Sequence, residues 1–401
     1  MATTRANPGR VAAALALLAV ERGAHVEDEL ATKAPAGQDR ALAWFLALGV
    51  LRRRAELDAA LRPHLKQPVT GLDAEVRVIL RLAAFERLFA RTATHAAVDQ
   101  AVELTRALGV GRASGLVNAV SRKIRMPKDL SAADALNHPA WLLARWEARY
   151  GVEAAHSWCR SNNEPPPLFI VSRDDDVAIP GAEPTALRGV WRLPEIVGPV
   201  TDLPQWSAGR LWVQDFAAVQ VADAAGDVRG KRVLDACAAP GGKSFRLASH
   251  GALVTAVDRE DRLPLIRDAA ARLGFELETA AHDWEEGPHA TLGAFDVVLV
   301  DAPCSGLGTV RRHPAIRWRR QLVDVLAIPA RQGAILAAAA THVAPGGRLV
   351  YAVCSAEPEE GEGVVAAFLA EHPQFVRTSE LSTAPPRHGE DAHFAVVMER
   401  R

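Results

Sequence analysis

The sequence predicts a multidomain protein: an all-α domain, then a small α+β module, then an α/β domain with a parallel sheet. Three observations predict this order. A chain of 401 residues exceeds the length of one ordinary core. The first 124 residues show helical periodicity interrupted by glycine or proline. From residue 232 onward strand and helix patterns alternate, which is typical of a parallel sheet covered on both faces.

The all-α part is predicted to span residues 1–130 and is basic. Helical patterns cover residues 10–22, 38–53, 57–65, 74–89, 95–108 and 113–124. Residues 1–128 hold 20 Lys and Arg against 12 Asp and Glu, a net charge of +8, whereas the whole chain has −1. A basic module joined to an acidic one suits a protein whose first part rests on a polyanion. Solvated helix faces explain the charge equally well.

The middle part, residues 137–210, differs from the first part in composition and in its predicted elements. A helix rich in aromatic and basic residues is predicted at residues 138–150, and a strand at 168–171 follows three prolines. Tryptophans among arginines can stack on nucleic-acid bases, although most such side chains are core. We interpret this part as a small α+β module that leads into the third domain at residues 211–401.

The third domain is predicted from regular alternation. Strands are predicted at residues 232–234, 253–257, 276–281, 295–300 and 347–353, helices at 263–273, 323–343 and 361–372, and closing strands at 375–381 and 394–399. Ligands bind such sheets at the carboxyl ends of the strands. The predicted site therefore lies where these strands end.

The stretch Val233–Ser244, VLDACAAPGGKS, joins a short strand to a helix through a glycine turn. Such a turn lets a ligand approach the backbone, and the exposed N–H groups of the helix favour hydrogen-bond acceptors. The loop predicts a nucleotide site. It matches neither GxGxxG nor GxxxxGK[ST], which disfavours a nicotinamide oxidoreductase and a P-loop enzyme.

Polar residues follow the other predicted strands. Asp258 ends the second strand, where an acidic side chain commonly holds ribose hydroxyls. Asp283 is placed to accept a hydrogen bond from an adenine amino group. Asp301 and Cys304 follow the fourth strand, and Cys354 follows the fifth. Each aspartate alone is more often a cap or turn residue, and each cysteine a small buried hydrophobe.

The composition argues against a membrane-spanning protein, a disulfide-stabilised protein and a metal-binding protein. The sequence has no run of 18 apolar residues, so we expect a cytoplasmic protein that does not span a membrane. Four cysteines, at positions 159, 237, 304 and 354, do not suggest a disulfide framework. They also lack the close spacing of a metal site, so no metal is expected.

Three motifs resemble the signature blocks of one family. DACAAPGGKS, VDAPCSGLGTVRRHPAIRW and YAVCSAEPEE look like those of the bacterial ribosomal RNA (cytosine-5)-methyltransferases of the RsmB/Sun type. RTATHAAVDQAVELTR and GLVNAVSRK are similar to parts of that family's NusB-like RNA-binding domain. The resemblance covers nearly the whole chain. Val353 stands where the family usually has threonine, and DAHF stands where it usually has a DGFF-like sequence.

The resemblance implies a Rossmann-like class I methyltransferase domain whose cofactor is S-adenosylmethionine. The implied cofactor-binding residues are Cys237, Ala238, Ala239, Pro240, Gly241, Gly242, Lys243, Asp258, Asp283 and Asp301. The implied catalytic residues are Cys354 as nucleophile, Cys304 as its partner, and Asp301, which is placed to offset charge near N3 of the base. The implied product is 5-methylcytosine in RNA, most readily 16S ribosomal RNA. Transfer RNA and 23S ribosomal RNA remain alternatives, as does a non-catalytic RNA-binding or antitermination protein.

A dense basic run follows Cys304. It contains Arg311, Arg312, His313, Arg317, Arg319 and Arg320. A charge run is usually a solvated face, but its place beside the predicted site favours RNA phosphate contacts by Arg311, Arg312, His313 and Arg317. We expect the protein to be a monomer.

Overall fold

The computed structural model describes residues 6–90, 92–173, 179–193, 200–387 and 389–401. The helices are α1 Pro8–Glu21, α2 Val26–Lys33, α3 Gln38–Arg52, α4 Arg54–Leu61, α5 Ala74–Leu88, α6 Thr94–Ala107, α7 Ser114–Lys123, α8 Ala132–Leu136, α9 Ala140–Tyr150, α10 Val152–Asn162, α11 Pro204–Ser207, α12 Phe216–Asp223, α13 Gly242–Ser249, α14 Leu263–Leu273, α15 Ile316–Arg319, α16 Leu322–Ala340 and α17 Val364–Glu371. The strands are β1 Leu168–Ser172, β2 Glu183–Pro184, β3 Val190–Leu193, β4 Leu211–Val213, β5 Arg232–Asp235, β6 Leu253–Asp258, β7 Glu278–Ala281, β8 Phe295–Asp301, β9 Val343–Val353, β10 Phe375–Ser382 and β11 Phe394–Arg400.

The chain divides into two compact units. Unit 1 comprises residues up to Glu164 together with Val310–Arg319, and unit 2 comprises Pro165–Thr309 and Arg320–Arg401. The predicted domain limits at residues 130 and 137 therefore fall inside unit 1. The segment Val310–Arg319 was assigned from sequence to the third domain, but structurally it is part of unit 1.

Unit 1 is helical, as the periodicity predicts. Asn7 caps α1 by accepting from the backbone N–H of Arg10, and Pro8 occupies the first helical position. The core is filled by alanine, leucine and valine, and close helix contact is visible at Gly49, where a Cβ atom would lie 2.1 Å from the ring of Phe85. Helices α2, α8, α10 and α15 were not predicted from the sequence.

Unit 2 begins with a small antiparallel sheet in the order β2-β3-β1-β4. Its central strand β1 pairs with β3 on one side and β4 on the other. The buried face of β1 presents Phe169 and Val171 to a core shared with α13 and α14. This sheet carries the strand content expected of the α+β module.

The larger sheet has the order β10-β11-β9-β8-β5-β6-β7. The five strands β5 to β9 pair in parallel, as predicted. The sheet is nevertheless mixed, because β11 runs antiparallel to β9 and β10 antiparallel to β11. The parallel strands bring their carboxyl ends to one edge of the sheet.

Alternate side chains of the central strands face opposite layers of helices. On β8, Val298 and Val300 pack with residues of α16 and α17, whereas Val297 and Leu299 pack with residues of α12 and α13. Helix α16 is long and apolar enough to cross a membrane by length and composition. Its Ile335 and Leu336 contribute to the sheet core.

Candidate functional site

The loop between β5 and α13 forms the floor of the site. Gly241 has a φ of +108°, and a Cβ atom there would lie 2.4 Å from the ring of Phe245. Only glycine fits both the conformation and the space. The N–H of Ala238 donates to the carbonyl of Val257 at 3.0 Å, which fastens the loop to β6. The strand–turn–helix interpretation of Val233–Ser244 is therefore correct.

Asp258 closes this loop from the neighbouring strand. Its Oδ2 accepts from the N–H of Ala239 at 2.8 Å, and its Oδ1 accepts from the N–H of Arg259 at 2.9 Å. The Nε atom of Arg262 lies 3.8 Å from Oδ1. Asp258 thus holds the loop backbone in place in addition to lining the space above it.

A cavity of about 310 Å³ lies at the carboxyl ends of the parallel strands. It brings together seven of the residues singled out in the sequence: Cys237, Ala239, Asp258, Asp283, Asp301, Cys304 and Cys354. Of the remaining predicted cofactor residues, Ala238, Pro240, Gly241, Gly242 and Lys243 shape the loop without lining the cavity. Among the described residues, no group of three or more His, Cys, Asp or Glu side chains could hold a metal ion.

Cys304 and Cys354 stand side by side at one end of the cavity. Strands β8 and β9 are parallel neighbours in which Asp301 pairs with Ala352. Cys304 lies three residues beyond β8 and Cys354 directly beyond β9, and their Sγ atoms are 3.2 Å apart. The N–H of Gly308 donates to the carbonyl of Cys354 at 3.1 Å, which ties the two loops together.

Charged side chains near the two sulfur atoms shift the pKa values of Lys243 and Cys304. Lys243 Nζ lies 2.5 Å from Asp301 Oδ2. Burial disfavours the ammonium, but the Asp301 carboxylate outweighs it and raises the pKa of Lys243, with a smaller contribution from Cys354. The hydrogen bond to Cys354, burial, and the charges of Cys354 and Glu360 raise the pKa of Cys304 well above its usual range. These surroundings favour the protonated thiol form of Cys304.

Beneath the loop, burial raises the pKa of Asp235 to about 7, although a hydrogen bond from Ser244 opposes the shift. The Oγ atom of Ser244 donates to Asp235 Oδ2 at 2.7 Å. Burial also raises the pKa of Cys237. Burial thus shifts both groups toward their neutral forms next to a cavity that already contains Asp258 and Asp301.

Several residues that line the cavity were missed in the sequence. Trp284 follows Asp283 directly, and Asp283 caps its turn by accepting from the N–H of Glu285 at 3.0 Å. Arg331 and Ile335 reach the cavity from α16, one helical turn apart. The position next to Asp283 was a usable signal for Trp284. Nothing in the local pattern of α16 distinguished Arg331 and Ile335 from other helix residues.

The basic run after Cys304 requires a correction. Arg317 has no exposed surface. Its guanidinium donates to the carbonyl oxygens of Asn162 at 2.8 Å and Val310 at 3.1 Å, and to Oδ1 of Asn163 at 2.8 Å. The burial of Arg317 argues against the predicted RNA phosphate contact, because its Nη1 and Nη2 atoms already donate inside unit 1.

The neighbours of Arg317 differ in exposure. His313 is exposed, and its Nδ1 lies 2.8 Å from Oε1 of Glu27. Arg311 and Arg312 are half-buried. The Nε atom of Arg311 donates to the carbonyl of Glu164 at 3.3 Å. Phosphate contacts by Arg311, Arg312 and His313 stay predictions.

Comparison with known proteins agrees with this geometry. Residues 226–396 match a family model described as 16S rRNA methyltransferase RsmB/F, and residues 7–125 match the NusB family. A ribosomal RNA small subunit methyltransferase B of Thermus thermophilus is 38% identical over 92% of this chain and 89% of its own length. The protein of the same name from Xanthomonas campestris is 36% identical over 94% of this chain and 89% of its own length. The crystal structure of PH0851 has a TM-score of 0.84 at 20% identity, covering 98% of this chain and 99% of that chain.

The fold and the cavity define a Rossmann-like, S-adenosylmethionine-dependent methyltransferase preceded by a NusB-type helical domain, as the sequence predicted. The chain belongs to the RsmB/F family of 16S rRNA methyltransferases.

Proposed function

We propose that this protein transfers a methyl group from S-adenosylmethionine to carbon 5 of a cytosine in 16S ribosomal RNA. The observation that carries the proposal is the pair of sulfur atoms of Cys304 and Cys354, 3.2 Å apart at the end of the cavity. The names of the RsmB relatives support ribosomal RNA as the substrate. The cavity residues Asp258 and Asp283 suit the ribose and the adenine of the cofactor.

The two cysteines provide a way to activate carbon 5 of cytosine for methylation. Carbon 5 of cytosine is a poor nucleophile, but a thiolate that adds to carbon 6 makes carbon 5 enamine-like. Cys354 is assigned this addition, as the family resemblance implies, and the raised pKa of Cys304 agrees with the assignment. The Lys243–Asp301 pair is placed to offset the charge that develops near N3 of the base. Bound S-adenosylmethionine supplies the electrophilic methyl group.

The remaining steps restore the enzyme. Once carbon 5 carries the methyl group, it must lose its proton before the bond between carbon 6 and Cys354 Sγ can break. The C5 proton passes to water, the electron pair of the C5–H bond re-forms the C5–C6 double bond, and Cys354 leaves as a thiolate that accepts a hydrogen bond from the Cys304 thiol. Cys304 is assigned to assist this elimination, because its Sγ is the nearest thiol to the adduct. The target base must be unstacked from its strand to reach the cavity.

The choice of RNA is tested by supplying the protein with S-adenosylmethionine and, separately, 16S ribosomal RNA, 23S ribosomal RNA and transfer RNA. Bisulfite sequencing of each product locates any 5-methylcytosine. The proposal expects modification of 16S ribosomal RNA. Modification confined to 23S ribosomal RNA or transfer RNA would identify that RNA as the substrate instead. No modification of any RNA would favour a non-catalytic RNA-binding protein.

Binding of S-adenosylmethionine is expected to depend on Asp258 and not on a metal. Asp258→Ala removes both the loop contact to Ala239 and a carboxylate in the cavity. Loss of a charge-assisted hydrogen bond, roughly 1.5–3 kcal/mol, weakens affinity by about 10- to 100-fold. Calorimetry measures this. Asp261→Ala is the matched control, because Asp261 is exposed and pairs only loosely with Arg259. Equal losses in both variants, or binding that disappears with a chelator, would contradict the assignment.

RNA affinity is expected to fall steeply with salt, because unit 1 is basic and binding to phosphates releases counterions. Replacing Arg311 and Arg312 by glutamine should lower the slope of log affinity against log salt by about 1 for each phosphate that is no longer neutralised. Filter binding over a salt series measures the slope. Arg377→Gln on β10 removes one positive charge from an exposed position and serves as control for each single substitution. An unchanged slope would assign Arg311 and Arg312 to a solvated face.

We propose that the protein acts in the cytoplasm as a monomer. The cytoplasm is where a ribosomal RNA substrate would be found. Light scattering of the purified protein tests the oligomeric state, and a mass near 43.0 kDa is expected for one chain.

A further inference from the structure

A buried carboxylate joins the loops that carry the two cysteines. Glu360 has no exposed surface and lies in the π-helical turn Glu359–Gly363. Its oxygens accept from the N–H of Ser305 at 3.2 and 3.1 Å, and Oε2 accepts from Ser305 Oγ at 3.2 Å. The side chain of Ser355 also bonds to Glu360. Ser305 follows Cys304 and Ser355 follows Cys354, so one side chain holds both loops.

The turn that presents Glu360 is itself anchored. The hydroxyl of Tyr351 on β9 donates to the carbonyl of Glu360 at 2.6 Å. The hydroxyl oxygens of Ser305 and Ser355 lie 3.3 Å apart, and each of these serines is 1% exposed. π-helical turns occur most often at functional sites. The arrangement is a buried polar network that links Ser305, Ser355 and Glu360.

Burying the Glu360 carboxylate in this network costs free energy of desolvation. Among the described residues, no Lys, Arg or His side chain forms an ion pair with Glu360. Burial raises the pKa of Glu360, while its hydrogen bonds to Ser305 and Ser355 oppose the shift. An apolar residue of similar size would fill the position without removing a charge from water. A buried carboxylate therefore calls for a functional reason.

We propose that Glu360 is a positioning residue that fixes the loops of Cys304 and Cys354 in one register and keeps the shared proton on Cys304. The inference rests on the proposed function, in which Cys354 attacks as a thiolate. Glu360 acts through the serines and through its charge and does not touch the reacting atoms. It is thus distinct from both cysteines in its role.

The charges near the sulfur pair support this placement of the proton. The Glu360 carboxylate disfavours a thiolate at Cys304, in addition to the effects of the Cys354 hydrogen bond and of burial. Lys243 interacts with the charge of Cys354. The other charged or titratable groups that face this network are Glu357, whose charge acts on Glu360, Tyr351, and Arg320, whose Nε donates to the carbonyl of Ser305 at 3.0 Å.

The first test uses thiol labelling, which needs no RNA. Wild-type protein is treated with a limiting amount of iodoacetamide, and labelling of Cys304 and Cys354 is compared by peptide mass spectrometry. Cys354 is expected to dominate, because the thiolate is the species that reacts. In Glu360→Gln the share of label on Cys304 should rise by about 2- to 10-fold, since the amide lacks the negative charge that helps to keep Cys304 protonated. Glu362→Gln, in the same turn, should leave the ratio unchanged.

The second test measures adduct formation with RNA that contains 5-fluorocytosine, which retains the covalent complex. Displacement of an attacking group by about 1 Å costs on the order of 100-fold in rate, so Glu360→Gln should slow the adduct by about 10- to 100-fold. Affinity for S-adenosylmethionine, measured by calorimetry, should stay within about twofold of wild type, which shows that the fold is intact.

If Glu360→Gln does not fold, substitutions of the two serines that bond to Glu360 provide a second test. Ser305→Ala and Ser355→Ala each remove one hydroxyl from Glu360 and keep its charge, so each should slow the adduct without moving the labelling ratio. Wild-type labelling and wild-type adduct rates in these variants and in Glu360→Gln would overturn the proposal. An altered labelling ratio in a protein that methylates no cytosine would instead overturn the proposed function and leave the role of Glu360 standing.

Discussion

Replacing Cys354 by alanine is expected to abolish methyl transfer and to prevent any covalent complex between enzyme and RNA. Without the thiolate there is no addition to carbon 6, and carbon 5 stays unreactive. Loss of a nucleophile typically lowers kcat by about 10⁴-fold or more. Transfer of labelled methyl groups to RNA measures the rate, and a denaturing gel detects the complex.

Replacing Cys304 by alanine is expected to have the opposite effect on the complex. Attack by Cys354 and methyl transfer still occur, but elimination is slowed, so a slow-moving band of enzyme bound to labelled RNA should accumulate. Cys159→Ala is the control, because Cys159 is buried in unit 1 and does not line the cavity. A band that accumulates with Cys354→Ala and not with Cys304→Ala would mean that the two roles are reversed.

Replacing Arg317 by leucine is expected to destabilise unit 1 by about 3–5 kcal/mol. Removing one partner from a buried, charged hydrogen-bond network leaves the others unsatisfied. Here the carbonyl oxygens of Asn162 and Val310 and the Oδ1 of Asn163 would lose their donors. Multidomain chains need not unfold in one step, so hydrogen exchange of unit 1 peptides under native conditions is the appropriate measurement.

The matched control is Arg319→Leu. Arg319 is exposed, and its side chain donates to the carbonyl of Ala24 at 3.2 Å. Surface substitutions of this kind change stability by about 0.5 kcal/mol or less. Equal exchange rates in the two variants would show that water replaces Arg317 at no cost.

The strands and helices of the methyltransferase domain could be predicted from the sequence, because its strands are buried and its loops are polar. Helix α14 begins and ends where it was predicted, and β6 and β8 each differ by one residue. The aspartates and cysteines at the strand ends converge on one cavity, as parallel topology requires. The order of the strands and the antiparallel direction of β10 and β11 are long-range features that periodicity does not encode.

Arg317 and Glu360 show where reasoning from the sequence fails. Arg317 sits in a dense charge run, and charge density alone favours the surface. Its burial depends on carbonyl oxygens from residues about 150 positions away, which no local pattern reveals. Glu360 is one of four glutamates in the segment Glu357–Glu362, and only the fold shows that it has no exposed surface and holds both cysteine loops.

The segment Val310–Arg319 has a consequence for biosynthesis. The chain is translated from its N-terminus, so residues 1–164 emerge from the ribosome long before Arg317 is made. Until then the acceptors around Asn162 and Asn163 have no buried donor, and the helical unit that was synthesised first cannot reach its final packing. Domains generally fold as units during synthesis. In this protein, completion of the first unit waits for the middle of the second.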